Sequence, residues 1–361
     1  MKKGILVCIG RGRLKNIGDY IQSIAAMQFA GRDAVRVERE ALNTYADGPT
    51  KVVMNAWFMH HPKRFPPSAD ILPLFTSFHV RPAIEGTFFS ERTIAYLKDH
   101  EPIGCRSTEV VEMMERHGIR AKFSSCVTLT LGKSYRHENA NLPPAFVDPR
   151  FHMLPRHAKL KALLEFVIGF GRQLPWLVRH ARVVLALARK FRVYAYWPYN
   201  DLLPVRWMYA SEFHRVYSAA FSDDVLLQAD YLTHKVRRRD YPTEAALLAR
   251  ADELLRRYAH SPFVVTSRLH CALPCIAIGT PCWVVPPEAD VDAGRFGGNE
   301  AFMSQLDFDS AGRLKPPGGG KIGLDGAPPV MAAHLPFAEA LARQCHAFMQ
   351  GDGEERPCGR A

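Results

Sequence analysis

Two alternating periods of apolar residues organise this chain. Short β-branched runs at residues 4–9, 52–58, 72–80, 103–106 and 119–123 predict buried strands. Between them, helical spacing predicts helices over 91–100 and 107–117, the second stopped by Gly118. An earlier helix is marked by Ile17, Tyr20, Ile21, Ile24, Ala25 and Gln28, with Asp19 at or near its N-cap and Gly31 as its stop. The apolar strand in "AFVDPRF" exits at Asp148, and a different texture follows. Residues 156–196 read as helical, interrupted at Gly169–Gly171 and at Pro175, and rich in Arg and Lys. In "WLVRHARVVLALARKF", Leu177, Ala181, Val184, Ala188 and Phe191 share one face, and Arg179, Arg182, Arg189 and Arg192 gather opposite. Such a helix packs on its own domain or a partner subunit, or lies on an anionic membrane surface. Alternation resumes at "VLLQADYLTHKV", where Thr233 and His234 end a strand. Thr243 then caps a helix over 244–259, residues 333–349 form a closing helix, and the tail 351–361 reads as disordered.

One stretch, "VVTSRLHCALPCIAIGTPCWVV" from Val264 to Val285, combines strand, helix and strand. Phe263 to Val265 read as a buried strand, and Thr266 or Ser267 offers an N-cap hydroxyl. Leu269 to Ile278 is apolar all round, as in a helix laid on a sheet, and Gly279 and Pro281 end it. Arg268 and His270 then stand at a strand's carboxyl end beside a helix N-terminus. In an open parallel sheet that is where ligands bind, and the unpaired N–H groups there favour anions. Burying an arginine without an anion is costly, so the pair predicts an anion site, with a ligand preferred to an internal carboxylate as the partner.

The totals narrow the class. At 361 residues the chain suits two α/β domains. No apolar run reaches the ~20 residues that span a bilayer, and "MKKGILVCIG" reads as a first core strand, which predicts a cytoplasmic protein. Eight scattered cysteines show no CxxC pair and no zinc spacing, so buried reduced thiols are expected and no metal. The net charge of +11 calls for an acidic partner, yet no nucleic-acid signature accompanies it. An anionic substrate, an acidic polysaccharide precursor and the inner membrane face fit this charge equally well. The loop Gly10–Gly18 lacks GxGxxG spacing and reads as a substrate-facing turn carrying Asn16 and Asp19, or as an ordinary turn with a capping Asp.

Taken in order, "NIGDYIQSIAA", "NAWFMHHPKRFPPS", "LPLFTSFHV", "EPIGCRSTEVVEMMERHGIRAKFSSCVTLTL", "YLTHKV" and "VTSRLHCALPCIAIGTPCWVV" resemble the polysaccharide pyruvyl transferase family. The resemblance implies two Rossmann-like domains facing across a cleft, as in GT-B glycosyltransferases. Residues 1–140 would form the acceptor side and residues 141–350 the donor side, with 156–196 as a helical basic insertion. It implies transfer of pyruvate from phosphoenolpyruvate onto two sugar hydroxyls as a cyclic ketal, with no cofactor beyond that co-substrate. The acceptor would be a saccharide or a lipid-linked oligosaccharide. Arg268 and His270 would hold the donor, with Ser267 and Leu269 beside them. His270 would act as acid or charge partner and Asp19 as base, with Asn16, His79 and His234 as further cleft candidates. The family's GCRD and FSGC appear here as GCRS and FSSC. Ser107 therefore puts an acidic role at its position in doubt, and Ser125 replaces a glycine and narrows its loop. Two other classes stay open on these residues: a GT-B glycosyltransferase using a nucleotide sugar, and a membrane-associated scaffold working through 156–196.

Overall fold

The computed structural model of the chain describes residues 1–10, 12–138, 142–156, 158–286 and 296–351. The tail expected beyond Gly351 and the eighth cysteine, Cys358, lie outside them. The first half builds a parallel sheet in the order β3 (Val35–Glu38), β1 (Lys2–Val7), β4 (Thr50–Val53), β6 (Ile71–Leu74). Backbone hydrogen bonds from His79 N to Ala56 O and from Gly104 N to Phe75 O extend the pairing. They carry it through β5 (Trp57–Phe58) and β7 (His79–Val80) to β8 (Ile103–Cys105) and β9 (Ala121–Phe123). The strands expected over 52–58 and 72–80 are thus each split in two. Buried polar residues cause the breaks, because their side chains bond backbone outside the ladder. Asn55 Nδ2 donates to Gln22 O at 3.0 Å, and Ser77 Oγ accepts from Val127 N at 2.8 Å.

The second sheet runs β11 (Asp230–Leu232), β10 (Ala145–Val147), β13 (Val264–Thr266), β14 (Cys282–Val284), β15 (Ser304–Gln305), and every pairing in it is parallel. Successive residues point to opposite faces of the sheet, and both faces are covered. Ala145, Val147, Val264 and Val284 join one core cluster, while Phe146, Val265 and Trp283 join another. The first cluster also takes Ile5, Val7 and Val53 from the N-terminal sheet. Between the sheets lie α1 (Ile17–Ala30), α9 (Glu244–Ala259) and α10 (Leu269–Ile278). Residues of the 3-10 turn Val127–Lys133 pack closely on α10, and a Cβ on Gly132 would overlap the carbonyl oxygen of Ala277. The outer face of the first sheet carries α2 (Glu85–Phe88), α3 (Glu91–Lys98) and α4 (Thr108–Arg116).

The outer face of the second sheet is covered by α5 (Lys159–Arg179), α6 (Ala181–Lys190), α7 (Leu203–Tyr217) and α8 (Asp223–Gln228). Residues 156–196 therefore contribute a layer of this half. Val184, Ala188 and Phe191 are buried in it as the pattern predicts. The expected interruptions are absent: α5 runs through Gly169, Gly171 and Pro175, and the break falls at His180. Pro175 and Gly171 are both exposed, so water can solvate the carbonyl that the proline leaves unpaired. Neither β3 nor α7 stood out in the sequence. Helix α7 buries residues around most of its girth, polar Ser211 and His214 included, which erases a two-sided pattern.

Thr243 caps α9 as expected, its hydroxyl accepting from Ala246 N at 3.1 Å. Gly279 closes α10 in the left-handed conformation, φ 87°, which explains a glycine there. A final helix, α11 (Leu335–Gln350), returns to the first half, with His346 edge-on to Phe29 and Lys51 Nζ donating to Gly351 O. The described cysteines are free thiols, all buried except the half-buried Cys8. Among the described residues no helix is long and apolar enough to cross a membrane.

Candidate active site at the meeting of the two sheets

Asp148 follows strand β10, in the left-handed conformation (φ 46°) and almost wholly buried. This residue organises the carboxyl edge of the second sheet. Its Oδ2 accepts from Arg268 Nε at 3.0 Å and from His234 N at 3.1 Å, and its Oδ1 accepts from Tyr196 OH at 2.7 Å. Burial opposes the Asp148 charge, but Arg268, His234 and the hydrogen bonds from Tyr196 and Thr233 outweigh it and hold the carboxyl below its ordinary range. Arg268 therefore has an internal carboxylate partner, contrary to the expectation that a ligand would be its anion. The partner comes from a strand adjacent in space but 120 residues away, beyond any local pattern. The pairing runs through Nε, and the Arg268 side chain stays 30% exposed.

The hydroxyls expected to cap α10 do other work. Arg268 itself is the N-cap residue, without a side-chain cap. Thr266 Oγ1 accepts from Arg268 N at 3.0 Å and donates to Val147 O at 3.0 Å, while Ser267 Oγ donates to Asp148 O at 2.9 Å. Both latch β13 to β10. Leu269 is a core side chain, so only its backbone can serve an anion. His234 is buried, its Nε2 paired with Tyr258 OH at 2.7 Å. Burial pushes it down to about 4, with Asp148 resisting and Arg268 and Lys235 adding to the drop, so the ring is neutral at pH 7.

His270 joins this edge to the first half. It is buried, and its Nε2 lies 3.3 Å from Arg106 Nη1. An arginine only donates, so Nε2 accepts and the neutral ring carries its proton on Nδ1. Arg106 follows β8 in "GCRS" and is 1% exposed; Nη1 also reaches Gln22 Oε1 of α1 at 3.4 Å. On the facing side, Gly18 lies against the imidazole. A Cβ there would stand 3.2 Å from His270 Cβ, 3.3 Å from Nδ1 and 3.4 Å from Asn16 Oδ1. Asn16 ends β2 (Leu14–Asn16), which pairs antiparallel with β12 (Lys235–Arg237), and Ile17 N donates to His234 O at 2.7 Å. Asn16, His234 and His270, far apart in sequence, thus share one neighbourhood.

Asp19 lies in the first turn of α1, whose N-cap position belongs to Asn16. Its carboxylate lies 3.8 Å from Arg39 Nη1. Asp19, Arg39, Gln22, Asn55 and Cys8 line a small recess at the carboxyl end of β1. Arg39 is buried there, bonded to Glu40 at 3.0 Å and lying 5.0 Å from the Trp57 ring centroid. His79 is buried on β7, opposite Trp57 in register, on the first-half side. Ser107 is buried and Ser125 takes φ 59°, a conformation glycine adopts without strain. Ser125 Oγ donates to Asn299 Oδ1 at 2.6 Å, and Asn299 Nδ2 donates to Arg106 O at 3.0 Å. The substituted serine thereby supports the backbone of Arg106.

Sequence reasoning left Arg106, Gln22, Asp148, Arg39 and Tyr196 without roles. The first and third had a signal, since each is a charge at the end of an apolar strand. Tyr196 had none, because only the packing of the helical layer carries it to Asp148.

A family model for polysaccharide pyruvyl transferases matches residues 16–288. The chain belongs to this family. The match begins at Asn16 and takes in Arg106, Asp148, His234, Arg268 and His270, so the residues of the candidate site from both halves lie inside it. Comparison with curated proteins and with solved structures gives no match.

Proposed function

We propose that the chain moves pyruvate from phosphoenolpyruvate onto two hydroxyls of a saccharide, free or lipid-linked, as a cyclic ketal. The observation that carries this reading is the meeting of His270 with Gly18, Asn16 and Arg106 beside Arg268 at the start of α10, inside the family match. In this reading residues 1–140 serve the acceptor and 141–350 the donor across a cleft. Phosphoenolpyruvate presents a carboxylate and a phosphate on one small frame. With the guanidinium held by Asp148 at Nε and by Tyr196, its remaining N–H groups are oriented toward one of these groups, and the α10 N-terminus offers N–H groups to the other.

The chemistry protonates the methylene carbon, forms a bond from a sugar oxygen to C2, and then replaces phosphate at C2 by the second sugar oxygen. One hydroxyl proton ends on the new methyl group and the other leaves with phosphate. His270 becomes the acid or the phosphate's charge partner when it takes up a second proton, which requires Arg106 to release Nε2, and Asp19 is the base. The family match favours this reading over a nucleotide-sugar glycosyltransferase.

Calorimetric titration with phosphoenolpyruvate tests it. Arg268→Lys keeps the charge but loses the planar fork, so donor affinity should fall by about tenfold or more. His270→Gln should lower turnover more than donor affinity. Unchanged affinity in a well-folded Arg268→Ala protein would overturn the assignment. A melting temperature raised by a nucleoside diphosphate and not by phosphoenolpyruvate would move it to the glycosyltransferases.

A further inference from the structure

Helix α5 has two apolar faces, and the fold covers only one. Ala162, Phe166 and Trp176 turn toward α7 and the core, and Trp176 Nε1 donates to His214 Nδ1 at 3.0 Å. On the opposite side Leu160, Leu163, Leu164, Val167, Leu174 and Val178 recur at three- and four-residue spacing. All are exposed, Leu160 by 82% and Val178 by 67%. The stripe is about 27 Å long at 1.5 Å per residue. A contiguous apolar surface of this length on a folded chain marks a contact surface.

Charge selects the occupant. Between residues 158 and 193 stand eight Lys and Arg residues and one acid, Glu165, which Lys161 approaches at 3.8 Å. Lys161, Arg172 and Arg179 follow one flank of the stripe, and Arg182, Arg189 and Arg192 extend the exposed positive surface along α6. Two copies meeting through this face would bring these charges together, whereas an anionic lipid surface complements them. No described helix is long and apolar enough to cross a bilayer, so contact with a membrane through this face would run along its surface. We propose that α5 rests in the headgroup region of an anionic membrane, with its leucine and valine stripe in the acyl boundary. The inference does not depend on the pyruvyl reading. The same layer continues to Tyr196 and its bond to Asp148, so it reaches the carboxyl edge of the second sheet directly.

Co-sedimentation of the full chain with vesicles tests it, using phosphatidylcholine alone and phosphatidylcholine with roughly 30% phosphatidylglycerol. Two variants accompany the wild type: Leu163→Ser/Val167→Ser/Val178→Ser, and Lys161→Glu/Arg172→Glu/Arg179→Glu. Every altered side chain is exposed, and circular dichroism checks that both variants fold. The wild type should bind the anionic vesicles and weaken by about tenfold in 0.5 M salt. The serine variant should lose about tenfold at every salt concentration. The glutamate variant should lose its preference for anionic lipid. Absence of binding, or equal binding to both vesicles, overturns the proposal. So does a dimer in sedimentation velocity that the serine variant abolishes while no form binds lipid.

Discussion

His234 shows how one buried side chain ties stability to pH. Its ring is held near 4 in the folded chain against about 6.5 when unfolded. A group depressed in this way contributes fully above pH 6.5 and loses that contribution as pH falls toward 4, because the unfolded chain takes up the proton first. From pH 7 to pH 5 the loss should be on the order of 2 kcal/mol. Urea denaturation at the two pH values measures it, and His234→Gln should reduce the difference to what His60, His214 and His334, also lowered by burial, contribute. Asp148, also depressed, acts only below its ordinary value of 3.8 and leaves this window undisturbed. A wild-type stability equal at pH 7 and pH 5 would mean that His234 is solvated and that water reaches the edge around Asp148.

At the scale of elements, α1 and α10 approach so closely that a helix carries a glycine against its own propensity. Alanine outranks glycine in a helix by about 1 kcal/mol, so Gly18→Ala should favour α1 in isolation. In the folded chain the added methyl would press on His270 at 3.2–3.3 Å, and the imidazole must give way. The two effects oppose each other in stability and add nothing in catalysis. Gly18→Ala should therefore leave the melting temperature within a few degrees of wild type while lowering turnover by about tenfold or more. Thermal denaturation and steady-state rates, taken together, check both halves. A variant with full activity would show that His270 tolerates displacement and does not act at a fixed position.

On the scale of the molecule, the chain closes by returning to its beginning. Leu341, Ala342, Cys345 and Met349 of α11 enter the same core cluster as Ile5, Val7 and Phe29. The last turn of the helix also engages Lys51 on β4, through Gly351 and the Phe348 ring. Removing residues 331–361 would strip this cover from the first sheet and α1 and expose several core side chains, each worth about 1.5–3 kcal/mol. The truncated protein should lose its cooperative transition or melt far below the full chain. Hydrogen exchange should show the loss beginning in β1, β4 and α1. A melting temperature unchanged by the truncation would make α11 an appendage.

Much of this architecture was legible in the sequence, because strand and helix periods are local properties. Parallel α/β class, the Thr243 cap, the Gly279 stop and the Arg268–His270 pair at a strand's carboxyl end follow from spacing and from the conformations that glycine and threonine allow. The same local reading placed hydroxyls at the α10 cap and breaks at Gly169 and Pro175, and the structure moved both. Neighbouring strands competed for the hydroxyls, and solvent tolerated the proline. What only the tertiary structure decided was pairing at long range. Asp148 for Arg268, Arg106 for His270 and Gly18 against the imidazole each join segments more than 100 residues apart. The uncovered face of α5 belongs with them. A helix with apolar residues on two sides does not reveal in its sequence which side the core will take, because burial is settled by the neighbours that the rest of the chain supplies.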